Sequence, residues 1–182
     1  MVSQFISSHS VRLLGEIDFD FPEGIHAIGR LDNHSEGLLI LTTNKKITRL
    51  LFGSKVPHLR TYQVLVINKV LASTVEHLQN GVSFLATGNK MYTTTPCKVS
   101  IIDEPNFAFD SPYTMNKYLD YTWLEITLTE GKYHQVRKMV STVGHKCVRL
   151  IRVSIEDLCL ENLAAGGIRE IEETVFFKAL KI

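Results

Sequence analysis

Gly29-Arg30-Leu31-Asp32-Asn33-His34-Ser35-Glu36-Gly37 lies between two apolar runs, Ile25 to Ile28 and Leu38 to Thr42. Both runs have the length and β-branched content of strands, which places an Arg, an Asp and two Gly in a loop at a sheet end. Strands aim loop side chains accurately, and this loop carries more polar chemistry than a connector needs. Asp32 is therefore the candidate reactive group. Pattern alone favours a plainer reading, in which an Asp of an Asp-Asn-His-Ser loop is a turn residue and Arg30 beside it is solvated.

Working outward, the 182-residue chain is 45% hydrophobic and 21% charged, ordinary for one compact domain with a substantial core. No apolar run approaches the length of a membrane span, and Met1 to Leu14 lacks the basic start and unbroken apolar centre of a signal peptide. A cytoplasmic chain with no membrane partner is expected. Cys97, Cys147 and Cys159 are odd in number and widely spaced, which disfavours disulfides and a zinc site; three mostly buried thiols and no metal are expected.

The net charge of +1 does not advertise a nucleic-acid partner, but the charges are unevenly distributed. Arg30 to Arg60 holds six Lys or Arg, Lys55 among them, against Asp32 and Glu36. Glu130 to Arg152 holds six against one, while acidic residues collect at Glu16 to Glu23 and Glu156 to Glu173. Two basic stretches of this kind suit a phosphate-facing cleft, although a solvated face balanced by the fold would also account for them.

Residues 1–24 read as irregular up to a turn at Pro22-Glu23-Gly24. Asn44 can cap a short helix with Ile47, Leu50 and Leu51 on its apolar side, ending at Gly53, with Lys45, Lys46 and Arg49 off the stripe. Tyr62 to Ile67 alternates as a strand with Tyr62, Val64 and Val66 on one face. Ser73 to Glu76 has a capping-box pattern and Asn80-Gly81 a stop. Thr93 to Ile102 reads as a strand partly demoted to an edge by Pro96. Residues 103–120 lack periodicity; their aromatics beside Lys117 could stack an unpaired base or pack over a sheet edge. Trp123 to Leu128 alternates as a half-buried strand. A helix from His134 to Gly144 buries Val136, Met139, Val140 and Val143, with His134, Arg137, Lys138 and Ser141 on another face. Cys147 to Ser154 and Ile168 to Ile171 are expected strands, and Thr174 the cap of a terminal helix.

Three segments in order resemble one family. Gly29 to Asp32 with Ser35 to Asn44, Arg60-Thr61-Tyr62-Gln63-Val64, and Glu130 to Met139 continued by Gly144-His145 and Arg149 to Arg152 are similar to the motifs of the RsuA-type ribosomal RNA pseudouridine synthases. The Asp103-Glu104-Pro105 and Leu160 to Ala164 stretches place the resemblance nearest the branch that modifies large-subunit (23S) RNA and carries no S4 domain. The resemblance implies an α+β catalytic domain with a mixed, mainly antiparallel sheet, helices packed on it and a basic cleft. It implies one domain over 1–182 without an S4 domain, and the family's first N-terminal strand is not recognisable here. A monomer is expected.

The implied reaction is isomerisation of uridine to pseudouridine in ribosomal RNA, without a cofactor. By the same resemblance Asp32 is the nucleophile, Tyr62 stacks on the base and assists proton removal, and Arg137 pairs with Asp32 to keep it charged. Arg30 would contact phosphate or fill the gap left by a flipped uridine. Lys45, Lys46, Arg60 and Lys132 are further expected RNA contacts, as are Lys138, Arg149 and Arg152. His134 and Gln135 would orient the loop at the RNA. The alternatives are a catalytically impaired RNA-binding module of the same fold, and a glycoside hydrolase. The hydrolase would need a second acid beside Asp32, and Glu36 is followed by Gly37 and a strand that point it elsewhere.

Overall fold

The computed structural model describes residues 1–53 and 56–182; Lys55 of the first basic stretch lies outside the described residues. Apart from a 3-10 turn at Leu14–Glu16, residues 1–24 form no regular element, as expected. The strand before the Asp32 loop is β1, His26–Ile28, followed by β2, Glu36–Gly37, and β3, Ile40–Thr42. β1 and β3 pair antiparallel, so the loop spans the end of a hairpin. Helix α1, Ile47–Phe52, follows, with Asn44 Oδ1 accepting from the Lys46 amide at 3.0 Å and Ile47 and Leu51 buried.

The main sheet begins with β4, Arg60–Ile67. After it come α2, Ala72–Asn80, and a small hairpin of β5, Ser83–Leu85, with β6, Met91–Thr93. Then follow β7, Lys98–Ile102; β8, Tyr121–Leu128; α3, Gln135–Thr142; β9, Cys147–Ile155; β10, Leu158–Cys159; and α4, Glu173–Leu180. The order across the sheet is β10-β9-β4-β8-β7, antiparallel throughout, with β2 added parallel to β9. This is the mixed, mainly antiparallel α+β arrangement that the resemblance implied.

Both faces of the sheet are covered. Val64 and Val66 of β4 and Leu124 and Ile126 of β8 join a core with α2 and α3, whereas Leu65 and Trp123 face a second core with the β1–β3 hairpin, α1 and α4. β8 shows the expected half-buried alternation, with Leu124, Ile126 and Leu128 buried and Glu125 and Thr127 part-exposed. Trp123 is buried as well, its ring 6.2 Å, centroid to centroid, from that of Phe107 in the irregular 103–120 segment. Among those aromatics Phe107 and Phe109 pack on the sheet, and Tyr118 stays exposed.

Several expectations change. Residues 93–102 are not one strand, for the ladder breaks around Pro96 between β6 and β7. α2 begins at Ala72 behind Leu71, so no capping box forms at Ser73. Residues 168–171 join no ladder, and α4 starts at Glu173 behind Glu172, leaving Thr174 inside the helix. The thiols are less sheltered than expected: Cys97 and Cys147 are half-buried and Cys159 is exposed.

Candidate active site

Asp32 and Tyr62 line one cleft of about 570 Å³. Asp32 sits in a turn closed by the Ser35 amide donating to its carbonyl at 2.9 Å, and its side chain is about one-third exposed. Tyr62 comes from the middle strand, paired with Arg152 of β9 on one side and Ile126 of β8 on the other. Adjacent strands thus bring a phenol and a guanidinium side by side beneath the loop.

Arg152 forms part of the cleft wall. It is 3% exposed, its Nε donates to the Leu38 carbonyl at 2.8 Å, and its Nη2 is buried without a hydrogen-bond partner. Burial pushes its pKa below the ordinary guanidinium value, while Tyr62 and Asp32 pull it back up. A buried cation with a free donor in a cleft is a ready contact for an anion or a carbonyl oxygen. Arg60 lies nearby, also buried, over the Phe52 ring at 4.6 Å and donating to the Thr129 carbonyl at 3.3 Å. Desolvation lowers its pKa as well.

Gly29 and Gly37 adopt positive φ at the two ends of the loop. A Cβ on Gly37 would come within 2.3 Å of the Arg152 carbonyl oxygen, so only glycine lets β2 approach β9 there. Three segments then brace the loop. Ser3 Oγ donates to the Leu31 carbonyl and accepts from the Leu31 amide, each at 2.9 Å. Tyr113 Oη donates to the His34 carbonyl at 3.4 Å, and Arg137 Nη2 donates to the same oxygen.

Arg137 is thus placed differently from the expectation. It holds the backbone at His34 and approaches Cys147 Sγ at 3.5 Å, and the side chain facing Asp32 is His134, whose Nε2 is 3.8 Å from Asp32 Oδ1. Burial pushes the Cys147 thiol up to about 11, against the lowering effect of Arg137. Arg149 also departs from its expected role, because its guanidinium makes a forked pair with Glu36 at 2.9–3.2 Å and lies over the Phe107 and Phe109 rings. That pair turns Glu36 away from Asp32, as the sequence anticipated.

Arg30 and Lys132 line the cleft with exposed side chains, Arg30 Nη1 donating to Gln4 Oε1 at 2.8 Å. Lys45 and Lys46 are exposed before α1, away from the cleft lining. Gln135 orients the 130–132 turn: its Oε1 accepts from the Lys132 amide at 2.8 Å and its Nε2 donates to Glu130. Glu130 also accepts from the Tyr92 hydroxyl, which pushes that phenol up to about 12. Lys138 lies across α3 in a second, shallower groove.

Residues 9–142 match the model of the family described as RNA pseudouridylate synthase. The chain belongs to that family. Among relatives of this pseudouridine synthase chain is ribosomal large subunit pseudouridine synthase E of Vibrio parahaemolyticus, 33% identical over 94% of this chain and 69% of the relative. The protein of that name from Xanthomonas axonopodis pv. citri is 36% identical over 81% of this chain and 76% of the relative. A crystal structure of a pseudouridylate synthase superposes with a TM-score of 0.71 at 25% identity, covering 92% of this chain and 65% of that chain. This chain therefore spans about two thirds of that solved structure.

Ser3, Tyr113 and His58 were not legible as site residues of this synthase. His58 is buried in the cleft wall with Nδ1 3.4 Å from Glu156 Oε1. Each acts across a long stretch of chain, and no local pattern marks such a contact. Among the described residues no cluster of His, Cys, Asp or Glu is arranged to hold a metal ion, and no helix is long and apolar enough to cross a membrane.

Proposed function

We propose that this chain isomerises a uridine of ribosomal RNA to pseudouridine, with large-subunit (23S) RNA as the substrate and Asp32 as the nucleophile. The observation that carries the reading is the convergence of Asp32 and Tyr62 on one cleft walled by Arg152, in a chain of the pseudouridylate synthase family. The relatives named for the large ribosomal subunit supply the substrate class.

In the reaction the bond from N1 to C1′ breaks, the base turns within the cleft, and C5 bonds to C1′. The proton on C5 leaves and N1 gains one, so oxidation level is unchanged. Asp32 acts from the sugar side, by attack on C1′ or by way of a glycal. The Tyr62 ring is a face for the extruded base, and its phenol is the group to assist loss of the C5 proton. Arg152, with one donor free, holds the turning base or its phosphate. Arg30 and Lys132 at the mouth meet the flanking backbone.

An RNA-binding module without catalysis is the second reading. The observation on its side is that Arg137 holds the His34 carbonyl rather than Asp32. Tritium release from 23S RNA labelled at C5 of uridine decides between them. The expected result is release by the wild-type chain and background release by Asp32→Asn, with RNA affinity retained. Release undiminished in Asp32→Asn would remove its nucleophilic role. Binding without release from large- or small-subunit RNA would leave the module.

A further inference from the structure

Tyr133 is 64% exposed, unusual for an aromatic beside a reactive loop. Its ring lies flat on the imidazole of His134, with centroids 4.0 Å apart and planes 17° from parallel. His134 takes a left-handed backbone, φ 54° and ψ 31°, as it begins α3. For a residue other than glycine this conformation is held against a steric cost, and here it presents the imidazole edge to Asp32 while the ring supports Tyr133.

The stacked pair forms a ridge. Tyr133 belongs to the lining of the Asp32 cleft, whereas His134 lines a second groove of about 340 Å³ with Phe84, Leu85, Arg137 and Lys138. Lys138 Nζ sits 5.7 Å from the Tyr133 ring centroid and 5.5 Å from that of Phe84, and donates to the Leu85 carbonyl at 3.0 Å. An exposed aromatic ring with the Lys138 ammonium beside it, one side chain away from the Asp32 carboxylate, suits a flat, anionic polymer.

We propose that the Tyr133–His134 stack is the platform for the nucleobase immediately next to the target uridine, and that the groove beside Lys138 takes the backbone of that neighbour. The inference rests on the RNA reading above and extends it to a second nucleotide. Extruding a uridine leaves its neighbours unstacked, and an aromatic side chain that replaces the lost stacking is sequence-tolerant because every base has a π-face. The platform also touches the nucleophile through one imidazole, so a seated neighbour presses on the group that faces Asp32.

The test uses Tyr133→Ala and Tyr133→Phe with single-stranded RNA heptamers carrying a central uridine and the fluorescent base 2-aminopurine on its 5′ or 3′ side. Wild type and Tyr133→Phe quench one of the two probes, and Tyr133→Ala does not. Affinity falls by about 5- to 150-fold in Tyr133→Ala, the range for loss of one stacked base, with an unaltered thermal midpoint. In the tritium assay the loss falls on KM and is restored by Phe, which keeps the ring and drops the hydroxyl. Absence of quenching in the wild type with both probes overturns the platform, as does Tyr133→Ala with unchanged affinity and KM. A wild-type chain that quenches a probe but releases no tritium overturns isomerisation and leaves the platform standing.

Discussion

At the scale of single residues, the carboxylate of Asp32 is aimed by groups that the neighbouring sequence does not contain. Leu31, one position before it, has both backbone groups bound by the Ser3 hydroxyl. An intramolecular hydrogen bond contributes about 1 kcal/mol to stability, but displacement of a reacting group by a fraction of an ångström can matter more to rate. Ser3→Ala is therefore expected to lower the rate of tritium release at saturating RNA by about tenfold, with KM and thermal midpoint nearly unchanged, and Ser3→Thr to restore it. Equal loss in both variants would show that the hydroxyl does not set the loop.

Arg149 and Arg152 make a second lesson at this scale. They stand three apart on β9, read alike as basic residues, and have opposite surroundings. Arg149 is neutralised by Glu36 across 113 residues of chain, whereas Arg152 keeps a buried nitrogen without a protein partner in the cleft. The register from Arg149 to Arg152 is unbroken, so strand alternation sends residues three apart to opposite faces, and what packs on each face decides the environment.

At the scale of elements, the two residues of β2 hold the loop to the sheet. Glu36 and Gly37 pair parallel with Ile151 and Arg152, and the Leu38 amide donates to the Arg152 carbonyl at 2.8 Å. Gly37→Ala would combine a φ of +97° with a Cβ 2.3 Å from backbone oxygen, which cannot move as a side-chain end can. Unfolding in urea should show a loss of about 3 kcal/mol or more, together with loss of tritium release. Gly24 provides the contrast, since its φ is +78° but a Cβ would meet nothing within 4 Å. Gly24→Ala should cost only about 1 kcal/mol, the backbone part alone. A similar small loss at both positions would mean that β2 yields to the added methyl.

At the scale of the whole molecule, a net charge of +1 conceals a basic cleft made from the two basic segments. Arg30, Lys132 and Arg152 line that cleft and Lys138 the groove beside it, whereas Arg149 is committed to Glu36; on the function proposed above, the first four meet RNA. Four contacts to single-stranded phosphates correspond to a slope of about −3 in a plot of log affinity against log salt. Lys132→Ala should reduce that slope by about 0.7, and a salt-independent affinity would remove the phosphate-cleft argument.

The sequence by itself determined the strongly periodic elements and the family. Strand and helix periodicities at 25–28, 38–42, 62–67, 123–128 and 134–144 are local, and so are the motifs around Asp32, Tyr62 and Arg137. Marginal elements such as residues 168–171 misled because a few β-branched residues suffice for a pattern, but pairing needs a neighbour. Tertiary structure alone decided the contacts of those motif residues. His134 rather than Arg137 faces Asp32, Ser3 clamps Leu31, and β2 joins the sheet parallel. These contacts join residues 28 to 115 positions apart, and their energies depend on register, twist and the packing of both sheet faces. Periodicity assigns a residue to a face, and the assembled sheet determines what meets it there.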